Sequence, residues 1–147
     1  MNFLLDTNAV SEWVKPRPNP GLIRWMESAD EDRLFLSVIT LAELHYGVER
    51  MPAGVRRTRL ERWLRFELAP RFERRFLPVS EEIALVWGRI VALSESAGHP
   101  MEVMDAFLAA TAQVHELTLI TRNASHFGVL KGVLSPWSQS SRLLQTS

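Results

Sequence analysis

The chain has 147 residues, of which 46% are hydrophobic and 23% charged, and it contains no cysteine. This size and composition predict one globular domain that buries roughly two-thirds of its unfolded surface, and they exclude a disordered or fibrous chain, a disulfide scaffold and a zinc ribbon. No apolar run approaches the ~18 residues of a spanning helix, and no basic segment precedes the first apolar run. We therefore expect a cytoplasmic protein that is neither secreted nor membrane-bound.

The net charge is zero, so the chain as a whole gives no basic signal for nucleic acid. Positive charge is nevertheless concentrated in the middle of the chain, at Arg50, Arg56, Arg57, Arg59, Arg62, Arg65, Arg71, Arg74 and Arg75. Glutamates are interleaved with these arginines, which favours a solvated helix face. The same cluster is compatible with RNA binding but does not establish it.

The first half of the chain begins with a buried strand at 3–5 that stops at Asp6. Two helices and a second strand are then predicted at 9–14, 21–29 and 33–36, and three prolines separate the two helices. A helix from 38 to about 51 follows, and it is apolar around most of its circumference. We expect it to be buried, with Glu43 on a narrow strip that lines a cleft.

The second half of the chain repeats the alternation. The predicted elements are an amphipathic helix at 55–66 that Pro70 closes, a strand at 76–79, helices at 80–97 and 102–115, a strand at 117–121 and a weak strand near 132–134. This pattern predicts an α/β fold, with a mainly parallel sheet of four to five strands and helices on both faces. We expect a single domain at 1–138 and a polar tail at 139–147.

Three acids stand in segments that otherwise read as core: Asp6, Glu43 and Asp105. Taken singly, Asp6 could be a helix N-cap and Glu43 a surface helix residue, but Asp105 is a poor helix former among alanines. Neither Glu43 nor Asp105 has a lysine or arginine three or four residues away. A divalent cation is the simplest neutraliser of several partly buried carboxylates, and oxygen ligands without cysteine favour Mg²⁺ or Mn²⁺ over Zn²⁺.

Several short motifs together give the chain a family resemblance. They are the strand-ending Leu4-Leu5-Asp6-Thr7-Asn8 with Ser11-Glu12 after it, Ser37-Val38-Ile39-Thr40-Leu41-Ala42-Glu43-Leu44, Asp105-Ala106-Phe107-Leu108-Ala109-Ala110-Thr111-Ala112, Thr121-Arg122-Asn123 before Phe127, and Ser135-Pro136-Trp137. In this order and spacing the chain resembles the PIN-domain ribonucleases, and among them the VapC and FitB toxins of bacterial toxin–antitoxin pairs.

The resemblance implies a PIN-like three-layer sandwich and a Mg²⁺- or Mn²⁺-dependent endoribonuclease. It also implies a homodimeric toxin that a small VapB- or FitA-like antitoxin inhibits and that meets operator DNA only through that antitoxin. Asp6, Glu43 and Asp105 match the three acidic metal-binding positions of the family. All three are therefore expected to be catalytic.

The chain departs from the family at the fourth acidic position. Members usually carry an acid where Asn123 or His126 stands here, so the site has one negative charge fewer and a second tightly bound metal is in doubt. Asn123 can still offer a carbonyl oxygen or hold a water, which makes it a catalytic candidate, and His126 can contact a phosphate.

Four further polar residues are auxiliary candidates. Thr7, Asn8 and Thr121 stand at strand ends, where they can orient the acids or a water, although caps and turns explain them equally well. Arg122 can contact phosphate or form a structural ion pair.

Two other functional classes share features with this sequence. A phosphohydrolase of the haloacid dehalogenase type needs a second aspartate two residues after the first, and that position is Asn8, which argues against it. A catalytically impaired PIN module that acts mainly as a binding partner in the antitoxin–DNA complex stays open, because the fourth acid is absent.

Overall fold

The computed structural model describes residues 1–137, so the predicted tail at 139–147 lies outside the described residues. The strands are β1 (Phe3–Leu5), β2 (Leu34–Ser37), β3 (Phe76–Leu77), β4 (Thr118–Ile120) and β5 (Val133–Leu134). The helices are α1 (Thr7–Trp13), α2 (Pro20–Ser28), α3 (Val38–Glu49), α4 (Val55–Trp63), α5 (Ala69–Arg71), α6 (Glu81–Ser96) and α7 (Val103–Val114). Within the described residues, no helix combines the length and apolar character needed to cross a bilayer.

The five strands form one sheet in the order β3-β2-β1-β4-β5, and every neighbouring pair is parallel. This confirms the predicted α/β class with a parallel sheet. The order runs outward from β1 in one direction to β2 and β3, and in the other to β4 and β5. The sheet therefore has a switch point between β1 and β4, which is where open α/β sheets form their binding crevices.

Alternation along the central strands creates two cores. Leu4 and Leu119 point to one face, where they pack with residues of α6 and α7. Leu5 and Ile120 point to the other face and pack with residues of α1, α2 and the segment around Phe72. Helices thus cover both faces of the sheet, and the predicted three-layer arrangement is confirmed.

The expectation that α3 would be buried is wrong. Only Thr40 and Val48 of this helix are buried, and the side chain of Tyr46 is 63% exposed. Apolar side chains of this segment instead line a groove between α3 and α4. They are Leu44 and Val48 of α3 and Met51, which follows the helix. Glu43 does line a cleft, as its position on the narrow strip predicted.

Pro70 does not end the helical segment that begins at Val55. The chain changes to a π-helix at Leu64–Leu68 and continues through Pro70 as the short α5. The Ala69 N–H donates to the Leu64 carbonyl, five residues back, which is the hydrogen-bond step of a π-helix. Pro70 has no N–H to donate and stands in the middle of α5, directly after this wider turn.

Candidate active site

The candidate site lies at the carboxyl ends of β1, β2 and β4. Asp6 follows β1 directly and is the N-cap of α1, while Thr121 follows β4. Ser37 ends β2 and caps α3, which carries Glu43 one and a half turns later. Parallel pairing brings these strand ends to one edge of the sheet, and α7 brings Asp105 to the same place.

Asp6 is held on both carboxylate oxygens. Its Oδ1 accepts a hydrogen bond from the Thr7 N–H at 2.6 Å, and its Oδ2 accepts from the Thr121 hydroxyl at 2.7 Å and from Asn8 Nδ2 at 3.1 Å. Burial raises the pKa of the Asp6 carboxyl, and these hydrogen bonds act in the opposite direction. Asn8 also accepts from the Arg122 N–H at 3.1 Å, so it ties the end of β1 to the end of β4.

Glu43 is fixed by the first turn of α1. The Thr7 hydroxyl donates to Glu43 Oε1 at 2.6 Å, and it lies 3.2 Å from the hydroxyl of the fully buried Thr40. Burial raises the pKa of Glu43, and the charges of Asp6 and Glu102 add to this, while the Thr7 hydrogen bond lowers it.

Asp105 has the most perturbed carboxyl of the site. Burial, followed by the charges of Asp6, Glu102 and Glu43, raises its pKa to about 6. The mutual effects show that these carboxylates are close enough to repel one another when ionised. The ionised carboxylates of the site therefore repel one another, and a bound cation would reduce this repulsion.

The acids line a common open cleft of about 350 Å³, which we call the acidic cleft. Its lining residues are Asp6, Thr7, Asn8, Ser11, Glu12, Lys15, Glu43, Asp105, Arg122, Asn123 and Phe127. Within residues 1–137, no ion pair joins any of the three predicted metal-binding acids to a lysine, arginine or histidine. None of the three charges is thus neutralised by a direct ion pair in the described part of the chain.

The remaining sequence-predicted candidates surround the acids. Asn123 lines the acidic cleft, and its N–H donates to the Thr121 hydroxyl at 3.1 Å. Arg122 also lines it, with an exposed side chain. His126 is exposed, and its charge lowers the pKa of both Asp6 and Asp105.

Sequence reasoning missed three charged residues of this region. Glu12 is buried, accepts from the Asn19 N–H at 2.9 Å and pairs with Lys15 at 2.7 Å, a contact that lowers its pKa. Glu102, the N-cap of α7, raises the pKa of two of the site acids. Helical spacing could have found them, because Glu12 and Lys15 stand four and seven residues after Asn8, and Glu102 stands one turn before Asp105.

The donor set fits a hard divalent cation, since it consists of carboxylate oxygens with no thiol. Among the described residues, no group of three or more His, Asp or Glu side chains is arranged so that it could together hold a metal ion. Asp6 and Glu43 are instead occupied by the hydrogen bonds of Thr121 and Thr7. Mg²⁺ is commonly bound through one or two carboxylates while it keeps several waters, and this smaller requirement is compatible with the acidic cleft.

Comparison with known proteins assigns this geometry to a family. The family model of the PIN domain matches residues 3–130. Toxin FitB of Neisseria gonorrhoeae is 36% identical over 136 residues, which are 92% of this chain and 98% of the relative. VapC ribonuclease Y4jK of Sinorhizobium fredii is 33% identical over 92% of this chain and 97% of its own length.

A solved structure agrees with this match. The crystal structure of FitAcB from Neisseria gonorrhoeae superimposes with a TM-score of 0.86, at 34% identity over 92% of this chain and 98% of the solved one. The likeness therefore extends over most of the chain.

Proposed function

Because the chain belongs to the PIN domain family, as a toxin of the VapC and FitB type, we propose that it is a Mg²⁺- or Mn²⁺-dependent endoribonuclease of a bacterial toxin–antitoxin pair. The observation that carries the proposal is the acidic cleft. It gathers Asp6, Glu43 and Asp105 at the switch point of the sheet, without an ion-pair partner among residues 1–137.

Asp6 and Asp105 would hold the metal, with Glu43 binding it directly or through a water. When bound, such an ion acts as a Lewis acid that polarises the phosphate and lowers the pKa of water. Thr121 and Asn8 keep Asp6 in place, and Thr7 does the same for Glu43. Arg122, which lines the acidic cleft, would contact the phosphate together with His126, and Asn123 would orient a water.

Water rather than the RNA 2′-hydroxyl would be the nucleophile. Its oxygen forms the new bond to phosphorus, the bond from phosphorus to the 3′-oxygen breaks, and the leaving 3′-oxygen takes a proton. We therefore expect products with 5′-phosphate and 3′-hydroxyl ends. A ribonuclease that used the 2′-oxygen would leave cyclic phosphates.

The test is cleavage of a defined single-stranded RNA, followed on denaturing gels with Mg²⁺, with Mn²⁺ and with EDTA. Asp6→Asn and Asp105→Asn should abolish cleavage, since each removes a ligand charge with little change of shape. Asp32→Asn is the matched control, because Asp32 is exposed and does not line the acidic cleft. Cleavage that persists in EDTA or in Asp6→Asn would refute the proposal.

Asn123 gives a graded version of the same test. Asn123→Ala should slow cleavage less than Asp6→Asn, and Asn123→Asp should tighten metal binding by restoring the fourth negative charge. If the wild type cuts no RNA under any metal condition yet still binds an antitoxin, the catalytically impaired alternative is favoured.

We propose an antitoxin of the VapB or FitA type as the partner, with operator DNA reached only through it. A solved structure of FitAB is bound to a DNA fragment, which supports this assignment. An apolar groove of about 610 Å³ adjoins the acidic cleft and shares Thr7, Ser11, Lys15 and Glu43 with it, so a chain in the groove would block the cleft. We expect the antitoxin gene just upstream, and co-expression with its product should yield a complex without ribonuclease activity.

We also propose a homodimer in the cytoplasm. Leu85, Leu93 and Val103 on the packed helices α6 and α7 are 55%, 67% and 52% exposed, which supports an apolar contact between copies. Light scattering that shows a monomer at high concentration would contradict the dimer.

A further inference from the structure

The structure separates the central arginines into two groups. The first group holds the fold together. Arg57 contacts Glu61, Glu49 and the Met51 carbonyl, and Arg71 pairs with Glu31 while it stacks 4.4 Å above the Trp13 ring. Arg75 donates to backbone carbonyls. These side chains are committed to protein contacts and are poor candidates for binding a ligand.

The second group includes Arg56 and Arg59, which are exposed and form no ion pair with any residue of 1–137. Both line the apolar groove, where Leu60 and Trp63 of the same helix lie beside them. Positions 56, 59, 60 and 63 follow helical spacing, so one face of α4 presents two unpaired cations together with an apolar and aromatic surface.

The groove leads directly into the acidic cleft, and Lys15 and Glu43 line both. Asp6, Glu43 and Asp105 repel a polyanion, since none of them forms an ion pair within residues 1–137. Arg122 supplies positive charge inside the cleft, and the phosphates of the RNA beyond the cleft need positive charge on the adjoining surface. Arg56 and Arg59 supply that charge in the groove, which shares lining residues with the acidic cleft.

We propose that the α4 wall of the groove is the track for single-stranded RNA next to the cleaved bond, with Arg56 and Arg59 contacting successive phosphates and unpaired bases facing the apolar floor near Trp63. A basic rim beside an aromatic floor is how proteins bind single-stranded nucleic acid. Base faces are available only in single strands or loops, so a duplex would not fit. This assignment rests on the proposed ribonuclease function.

The experiment measures binding of a fluorescein-labelled single-stranded RNA to the full chain carrying Asp6→Asn, by anisotropy in EDTA at several salt concentrations. Arg56→Gln and Arg59→Gln should each lower the slope of log affinity against log salt by about 0.7, and the double variant by about 1.4, as expected for lost phosphate contacts to a single strand. Arg24→Gln on α2 is the control, because Arg24 is exposed, forms no ion pair within the described chain and lies outside the groove lining. It should leave the slope unchanged.

An unchanged slope in the double variant would overturn the track, as would an equal loss in Arg24→Gln. Loss of antitoxin binding with retained RNA binding would also overturn it and assign the two arginines to the protein partner. Binding is measured without cleavage, so the two proposals fail separately. A wild type that binds RNA through these arginines but never cuts it would refute the chemistry alone.

Discussion

The Thr7 hydroxyl is the contact that gives Glu43 a fixed place in the acidic cleft. Thr7→Val keeps the shape of the side chain but removes the hydrogen bond to Oε1, so the pKa of Glu43 should rise further and the carboxylate should bind metal less readily. Loss of a supporting contact of this kind typically costs 10- to 100-fold in metal affinity, and we expect about 10-fold. Calorimetric titration with Mn²⁺ at neutral pH measures it.

Thr7→Ser is the control, because it keeps the hydroxyl and should retain most of the affinity. If the valine and serine variants bind Mn²⁺ equally, the hydroxyl does not position Glu43.

Asp105 links the site to pH. The pKa of its carboxyl is about 6 in the folded chain, against 3.8 for an aspartate free of these surroundings. Between these values the folded state binds the proton more tightly than the unfolded state does, so the free energy of unfolding falls as pH rises through this window and then levels off. Without metal, Asp105→Asn should therefore be more stable than the wild type at pH 7.5, and the difference should shrink at pH 4.5.

Denaturant unfolding in EDTA at the two pH values gives this difference directly. A variant that is less stable than the wild type at pH 7.5 would show that Asp105 makes a favourable contact instead. In the wild type at metal concentrations below saturation, cleavage should increase as pH rises through about 6, because protonation of the carboxyl competes with metal binding.

At the residue scale, the sequence was sufficient to select the candidate acids, because each lies in a short recognisable motif. Asp6, Glu43 and Asp105 could be selected because each breaks an apolar pattern. The hydrogen bonds around these acids could not be predicted in the same way. The hydrogen bond from Thr7 to Glu43 joins residues 36 positions apart, and that from Thr121 to Asp6 joins residues 115 positions apart. Such contacts depend on the order of the strands in the sheet. Local sequence patterns do not predict that order.

At the scale of elements, Arg75 joins the end of the α5 turn to the start of β2. Its guanidinium donates to the carbonyls of Leu34 at 2.9 Å and Arg71 at 2.6 Å, and it also contacts the Glu31 carbonyl. Arg75→Ala should destabilise the fold by about 2 kcal/mol, because hydrogen bonds to a charged group contribute ~1.5–3 kcal/mol. The neighbouring Arg74 is exposed and unpaired within residues 1–137, so Arg74→Ala should change stability by less than ~0.5 kcal/mol.

Chemical denaturation of the two alanine variants compares them directly. Equal stabilities would mean that the Arg75 contacts are replaced by water at no cost.

Element types were predictable from periodicity, but two features of the elements were not. Pro70 was expected to end a helix, yet the π-helical Leu64–Leu68 carries the chain past it. The apolar α3 was expected to be buried, yet its apolar side chains serve a surface groove. In both cases tertiary packing overrides the local sequence preference. It supports the wider turn before Pro70, and it leaves one side of α3 open.

For the molecule as a whole, the sheet order explains why residues distant in sequence form one site. Leu4 and Leu5 of β1, like Leu119 and Ile120 of β4, pack into opposite cores, and the parallel pairing of β1 with β4 sets these two strands side by side. Their carboxyl ends then place Asp6 beside Thr121. Strand order itself could not be read from periodicity, because every strand of a parallel sheet with two covered faces has a similar apolar pattern.

The same placement predicts how the whole fold responds to metal. Burial, and then the charges of the neighbouring acids, raise the pKa of Asp105 in the folded chain, and both effects are lost on unfolding. A divalent cation should therefore bind the folded state preferentially. At 100 times its dissociation constant, Mg²⁺ or Mn²⁺ should stabilise the protein by about 2.7 kcal/mol, and the melting temperature should rise with metal concentration. Asp6→Asn should lose most of this rise while Asp32→Asn keeps it. A melting temperature that stays constant from EDTA to millimolar Mn²⁺ would mean that the acidic cleft binds no specific cation.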